Sequence, residues 1–387
     1  MEWIELGDAF IIIRNGKSIK QHGEDGYPIT RIETIADRYV DEARVGYASI
    51  YDLKEYEDYI LQKGDILMSH INSVKHLAKT AIFNSKSILI HGMNLLCLRA
   101  DKNIIDPYYG YYYLNSDVFL KQIPQITKNS VNQASFSITN LKKLKIPVPP
   151  IEIQKQIVEV LDEAQKLIDN RKKQIELLDD LIESIFYDMF GDPVKNDKGW
   201  EVKKLGKVSN IKSLDIEDKY KDDDLVWLLN LDEIESNTGK LLERKQVKFS
   251  DLPSSIISFN ENYVLYSKLR PYLNKLILPD KEGYATSELV PILPKKYLNK
   301  VYLFNLLRSD PILKFLEIHV SGAKMPRVVM KDFRNLEIPI PPIQLQNQFA
   351  EKVQAIEKQK ELLKESLKLM EDNYNSLMQR AFKGELF

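Results

Sequence analysis

The chain has 387 residues, 44% hydrophobic and 29% charged, with a formal net charge of -1. That length allows two to three domains with substantial cores, and the near-zero charge excludes a uniformly basic nucleic-acid binder. A basic face balanced by acids elsewhere stays open, with DNA binding then expected to need help from partners. The single Cys97 excludes an internal disulfide and fits a reducing cytosol. The opening Met1–Leu6 carries acids where a secretion signal carries basic residues, and no run approaches the ~20 apolar residues of a membrane span, so a cytoplasmic protein is expected.

Residues 1–149 form a first body of mixed α/β or α+β character. Ala9–Ile13 and Ser87–Ile90 are predicted strands, and Gly64–Ser69 a turn entering another. Asp106–Lys121 reads as one amphipathic helix, with Tyr108, Tyr109, Tyr111, Tyr112 and Tyr113 at helical spacing that favours core packing over base stacking.

Pro149-Pro150 closes this body, since paired prolines disfavour helix before them and suit a helix start after them. From there apolar residues recur at spacings of four and three: Ile157, Leu161, Ala164, Ile168, Ile175, Leu178, Ile182, Ile185 and Met189, interrupted by Arg171. The span 150–190 is therefore a predicted long helix with a coiled-coil seam.

The second body, 191–341, repeats this layout. Trp200 and Leu205-Gly206 answer Trp3 and Leu6-Gly7, Asn262–Ser267 answers Gly64–Ser69, and Lys300–Leu316 answers the tyrosine-rich helix. Residues 342–387 form a second seam through Phe349, Val353, Ile356, Leu363, Leu367, Met370, Tyr374, Leu377 and Ala381, interrupted by Lys360. Each helix would be about 55–60 Å long at 1.5 Å per residue. A seam of that length needs a partner, and the two helices are expected to pair with each other. A pseudo-twofold arrangement would make the pair antiparallel, with the bodies at opposite ends.

The strongest signal is an internal repeat. Lys142–Gln156 returns 192 positions later as Arg334–Gln348, with eight of fifteen residues identical. The linking segments match well and the bodies match poorly, which suggests two specificities on one scaffold.

Catalytic motifs are missing from the sequence. There is no G-x-x-x-x-G-K-[S/T] loop, no glycine-rich cofactor loop, and no polar residue before Pro149-Pro150 or Pro341-Pro342 to complete a methyltransferase tetrapeptide. The five histidines and one cysteine show no zinc spacing, and Glu201-Val202-Lys203 with Asp192 is a common charged triplet.

A body ending in Ile-Pro-hydrophobic-Pro-Pro, followed by Gln-x-Gln and a long helix, twice in one chain, resembles the specificity subunit of type I restriction-modification systems. Tyr266–Lys275 and Ser321–Pro326 resemble segments of that family's target recognition domains; the first body departs at both, with His70–Val74 and Asn129–Gln133. The resemblance implies a non-catalytic subunit in which each body reads half of a bipartite site on double-stranded DNA. The helices would set the spacer and hold two methyltransferase subunits, and motor-nuclease subunits could join. S-adenosylmethionine, ATP and Mg would belong to those partners, and none to this chain.

Candidate DNA contacts are Lys268, Arg270, Asn274 and Lys275, with Lys324 and Arg327, in the second body, and His70, Asn72 and Lys75, with Asn129, Asn132 and Gln133, in the first. Lys and Arg neutralise phosphates, while Arg, Asn and Gln can pair two-fold with base edges. Ile151, Ile153, Phe190 and Phe382, off the seam or at its ends, are candidate partner-docking residues. Two rival readings are a coiled-coil scaffold with no DNA role and a cryptic nuclease or methyltransferase.

Overall fold

The computed structural model describes residues 2–35, 39–130, 133–215, 219–322 and 324–386. The chain divides into two compact units, Met1–Lys172 with Glu365–Phe387, and Lys173–Lys364. Each contains one body together with half of each long helix.

In the first unit, strand Glu2–Glu5 pairs antiparallel with Lys145–Val148, setting Trp3 opposite Pro147. A two-stranded ribbon tolerates that proline, because one side of each strand needs no ladder bond. The main sheet is antiparallel throughout, in the order Phe10–Asn15, Leu96–Ala100, Ile66–Met68, Thr80–Ile82. The second unit repeats both elements. Glu201–Lys204 pairs with Glu337–Ile340, and the main sheet runs Ser209–Asn210, Leu289–Pro294, Val264–Ser267, Leu276–Ile277. It adds a second sheet in the order Gln246–Lys248, Leu225–Leu229, Gly283–Thr286, Ile256–Phe259.

Two of the predicted body elements are corrected. Ser87–Ile90 forms no ladder: Leu89 and Ile90 are buried, and Ile90 makes only single bridges to Ile29 and Ile60, so this apolar run fills a core instead of building a sheet. The helix expected over 106–121 is broken into Pro107–Leu114 and Asp117–Leu120. Ser116 causes the break. Its hydroxyl donates to the Tyr113 carbonyl at 2.6 Å, and its oxygen caps the next turn at Phe119 N. The second body breaks likewise into Lys300–Arg308 and Asp310–Ile318, at Ser309 and ahead of Pro311.

The long helices span Ile151–Phe190 and Ile343–Lys383. Within the first unit, the start of the central helix packs antiparallel on the end of the terminal helix, with Lys172 Nζ 2.9 Å from Glu371 Oε1. Within the second, the end of the central helix meets the start of the terminal one through Phe186 and Phe349, ring centroids 5.7 Å apart. The seam reading holds at Ile157, Leu161, Ile168 and Ile182, all buried. Near the central helix's end the buried stripe is Ile182, Phe186 and Phe190, not Ile185 and Met189, because the body supplies a second surface to fill.

Phe190 and Phe382 are therefore not docking residues. Phe382 is fully buried against Tyr109 and Tyr113 at 5.4 and 5.3 Å, and Phe190 sits 4.7 Å from Tyr302. Each plugs a helix end into the core of its own unit. Three of the five tyrosines are core, as their spacing predicts: Tyr109, Tyr112 and Tyr113 are buried, while Tyr108 and Tyr111 are half-buried. Among the described residues, no helix is long and apolar enough to cross a membrane.

Candidate nucleic-acid interface

In the second unit, the chain leaving strand Val264–Ser267 stays extended long enough for Leu269 to bridge Arg327. Arg270 N donates to the Pro326 carbonyl at 2.7 Å, and Val328 N to the Lys268 carbonyl at 2.8 Å. The two segments singled out in the sequence, 266–275 and 321–327, thus form one rim. The second of them is a hairpin, Val320–Ser321 against Arg327–Val328, with Gly322 at φ +91° in its turn.

Arg270 and Asn274, at φ 49° and 46°, hold the left-handed conformation on either side of the tight turn Pro271–Leu273. Such backbone costs about 1–3 kcal/mol per residue and persists only where the surroundings enforce it. Here the Pro326 and Arg308 carbonyls do so, the latter accepting from Asn274 Nδ2 at 3.0 Å. The turn presents Tyr272 to solvent.

The rim sorts the candidates. Lys268 Nζ donates to the Ser287 carbonyl and Lys275 Nζ to the Leu231 carbonyl, both at 2.6 Å. Arg327 makes a two-pronged pair with Glu288, Nε at 3.1 Å and Nη2 at 3.0 Å. Asn274 is buried, which removes it from the solvent-facing set. Arg270 and Lys324 are exposed and make no side-chain hydrogen bond or ion pair among the described residues.

The first unit builds the equivalent rim. After strand Ile66–Met68, Ile71–Asn72 pairs with Ala134–Ser135, and hairpin strand Lys128–Ser130 pairs with Gln133–Ser135. The structure therefore brings together segments 70–76 and 128–135, as it does their counterparts in the second unit. Asn129, Gln133 and Lys75 are exposed on this rim. Asn72 is half-buried, and its Oδ1 accepts from Ser73 N at 2.8 Å. Asn132 lies outside the described residues.

His70 is also removed from the solvent-facing set. It is buried with its ring 6.4 Å from Phe136, and burial lowers its pKa, which keeps the imidazole neutral. Beside this rim, a mainly apolar cleft of about 330 Å³ is lined by Val74, Leu77, Ile123, Thr127 and Asn129, with Lys75 at its wall.

Sequence reasoning gave no sign that Glu288 would occupy Arg327, nor that Tyr272 and Met325 would stand exposed beside Arg270 and Lys324. The triplet Glu201-Val202-Lys203 is an exposed ion pair, Lys203 Nζ lying 3.1 Å from Glu201 Oε2.

The type I restriction modification DNA specificity domain matches this chain twice, over residues 1–179 and 197–371. A Methanocaldococcus jannaschii chain, assigned as the MjaX type I restriction enzyme specificity subunit, is 31% identical, over 99% of this chain and 92% of that one. The MjaVIII type I restriction enzyme specificity subunit of the same organism is 24% identical over 100% and 92%. Among solved structures, a chain of a type I restriction-modification system matches in fold with a TM-score of 0.61 at 14% identity, covering 100% of this chain and 98% of that one. The S subunit of a type I system from M. genitalium matches with a TM-score of 0.52 at 14% identity, covering 99% and 96%.

Proposed function

This chain belongs to the type I restriction modification DNA specificity family, and we propose that it reads a bipartite site on duplex DNA, one half-site per body. The observation that carries this reading is the repeated rim. In each body a hairpin, 128–135 or 320–328, pairs with the segment leaving the central strand and displays exposed polar or cationic side chains. Within the rims, Arg270 and Lys324, with Lys75, Asn129 and Gln133, are the proposed contacts. Cations supply the sequence-independent grip on phosphates, while Arg, Asn and Gln can read base edges.

The long helices set the unread spacer and hold methyltransferase subunits, two per chain, with motor-nuclease subunits joining in a cleaving complex. Adenine methylation and ATP-dependent cleavage belong to those partners, which carry S-adenosylmethionine, ATP and Mg. This chain supplies target choice and no chemistry.

The test is to co-express the chain with the neighbouring methyltransferase gene and map methylated bases genome-wide by single-molecule sequencing. A bipartite motif that vanishes when this gene is deleted is the expected result. Exchanging the 320–328 hairpin for a relative's should alter one half of the motif and leave the other. A continuous motif, or methylation indifferent to this gene, would overturn the reading.

A further inference from the structure

The apolar cleft beside the first unit's rim, about 330 Å³, has one wall from the turn after the central strand and one from the segment leading into the hairpin. Val74, Leu77 and Ala78 line the first wall, and Leu120, Ile123 and Pro124 the second. Asn129, exposed on the hairpin strand, also lines it. Its charged lining residues are Lys75 and Lys79, and no carboxylate is among the described residues that line it.

The internal repeat shows that this opening is particular to one body. Ser69 N donates to the Lys79 carbonyl at 2.9 Å, and Ser267 N to the Lys275 carbonyl at 2.9 Å, which aligns Leu77-Ala78-Lys79 with Leu273-Asn274-Lys275. Ala78 at φ 60° and Asn274 at φ 46° both hold left-handed backbone, so the register is the same. Ser69 and Lys79 are ten positions apart, however, and Ser267 and Lys275 eight. With the shorter connection, the turn Pro271–Leu273 lies against helix Asp310–Ile318 and Pro271 is buried. With the longer one, Val74 is 70% exposed and the cleft separates its turn from Leu120–Pro124. A feature open in one body and packed shut in its repeat belongs to what distinguishes the bodies, and that is target choice.

The chemistry of the walls indicates the occupant. Lysines without carboxylates admit a polyanion, while the apolar lining needs an apolar group from it. Of the groups that an intact duplex displays on its base edges, the thymine 5-methyl is the apolar one. On the same base pair, adenine offers the N6 and N7 positions that an asparagine amide can pair two-fold. Asn129 and the apolar walls thus suit the two halves of a single A·T pair.

We propose that this cleft receives the 5-methyl edge of a thymine in the first body's half-site, with Asn129 on the paired adenine. This rests on the DNA reading above and adds to it a chemical identity for one position of the target. Val74 and Leu77 select thymine, Asn129 selects adenine, and Lys75 holds the neighbouring phosphate.

The test uses the full chain in its methyltransferase complex, on duplexes carrying the mapped motif. The first body's half-site is the one that exchange of the 320–328 hairpin leaves unchanged. Each thymine of that half-site is replaced singly by deoxyuridine, which deletes the methyl alone, and affinity is read by anisotropy. Burial of one methyl predicts that one such replacement weakens binding by about fourfold. Val74→Ser, at an exposed position where the fold should survive, is expected to abolish that difference and leave thermal unfolding unchanged. Asn129→Ala is expected to relax the requirement for adenine at the same pair. A first half-site with no thymine on either strand, deoxyuridine neutral at every position in it, or a fourfold penalty that persists in Val74→Ser would each overturn the proposal. A continuous motif would overturn the half-site reading together with it, and is seen before any base is replaced.

Discussion

The side-chain oxygen of Gln154 accepts the backbone N–H of Asp106 at 2.8 Å, and Gln346 does the same for Asn299 at 2.8 Å. Both glutamines are fully buried, 192 positions apart. Each amide nitrogen donates twice: Gln154 to the Ile104 and Pro149 carbonyls at 3.0 and 2.8 Å, Gln346 to the Tyr297 and Pro341 carbonyls at 3.1 and 2.8 Å. Asp106 and Asn299 are themselves the caps of the first body helices, so one amide joins a long helix, the strand before it and a body helix. This gives a physical reason for the repeated Gln after each proline pair.

Gln154→Leu keeps most of the volume but leaves the Asp106 N–H and two carbonyls without partners. A buried unsatisfied group costs about 1–3 kcal/mol, so with three of them the loss should be about 3 kcal/mol or more, read from urea unfolding midpoints. Gln154→Glu keeps the acceptor for Asp106, but sets a carboxylate against two carbonyls. It should be the worse variant at neutral pH and should recover partly on acidification. Stability within about 0.5 kcal/mol of the unaltered chain for Gln154→Leu would show that the clamp carries little.

Acid should weaken the first unit through its histidines. His91 is buried, with its Nε2 2.9 Å from the Leu95 carbonyl, and burial lowers its pKa from 6.5 to about 4. A folded-state pKa below the unfolded one means that the unfolded chain binds the proton first. The stability is then present above pH 6.5 and is lost as pH falls toward 4. The lowered pKa of His70 acts with the same sign. For His91 alone the expected loss is about 2–3 kcal/mol between pH 7.5 and 4.5. His91→Gln, which can still donate to Leu95, should flatten that slope by about one proton; an unchanged slope would assign it elsewhere.

The repeat, the helix starts and the seam are legible in the sequence because they rest on local spacing. What the cations do is less legible. The Lys268 ammonium ends on Ser287 and the Arg327 guanidinium on Glu288, groups 19 and 39 residues away that only the folded rim brings near. His70 could have been placed by period two, since Ile66 and Met68 are core residues and His70 is the next position in that alternation, just past the strand's end. Phe190 and Phe382 fell off the seam because each helix end fills two surfaces, the other helix and its own body, and one periodicity describes only the first.

Lys360 is a buried charge in the seam of the second unit, 7% exposed, paired with Asp179 and, at 3.1 Å, with Glu357. Burial alone would lower its pKa, but the Asp179 hydrogen bond and the Glu357 charge outweigh it and hold the ammonium above its ordinary 10.5. That stability is present below pH 10.5 and is lost only as pH rises through the raised value. The repeat-equivalent residue is Ile168, buried and apolar. Lys360→Ile should thus be neutral or stabilising by up to about 2 kcal/mol, whereas Lys360→Glu should cost about 3 kcal/mol or more. A Lys360→Ile chain destabilised by more than about 1 kcal/mol in thermal unfolding would mean that the ion pair is a net source of stability.

The salt dependence of DNA binding separates the rim cations. Each protein charge that neutralises a phosphate on duplex DNA contributes about 0.9 to the slope of log affinity against log salt. Arg270→Gln and Lys324→Gln should each lower that slope by about one while leaving thermal stability unchanged, because neither side chain has a partner among the described residues. Lys268→Gln and Lys275→Gln should do the opposite. Their ammonium groups are committed to the Ser287 and Leu231 carbonyls, so the loss should appear in unfolding and hardly in the slope. Arg270→Gly sharpens the contrast: glycine relieves the left-handed backbone at φ 49°, so the chain should become no less stable while its DNA affinity falls. An unchanged salt slope in the Arg270 and Lys324 variants would move the second contact surface away from this rim.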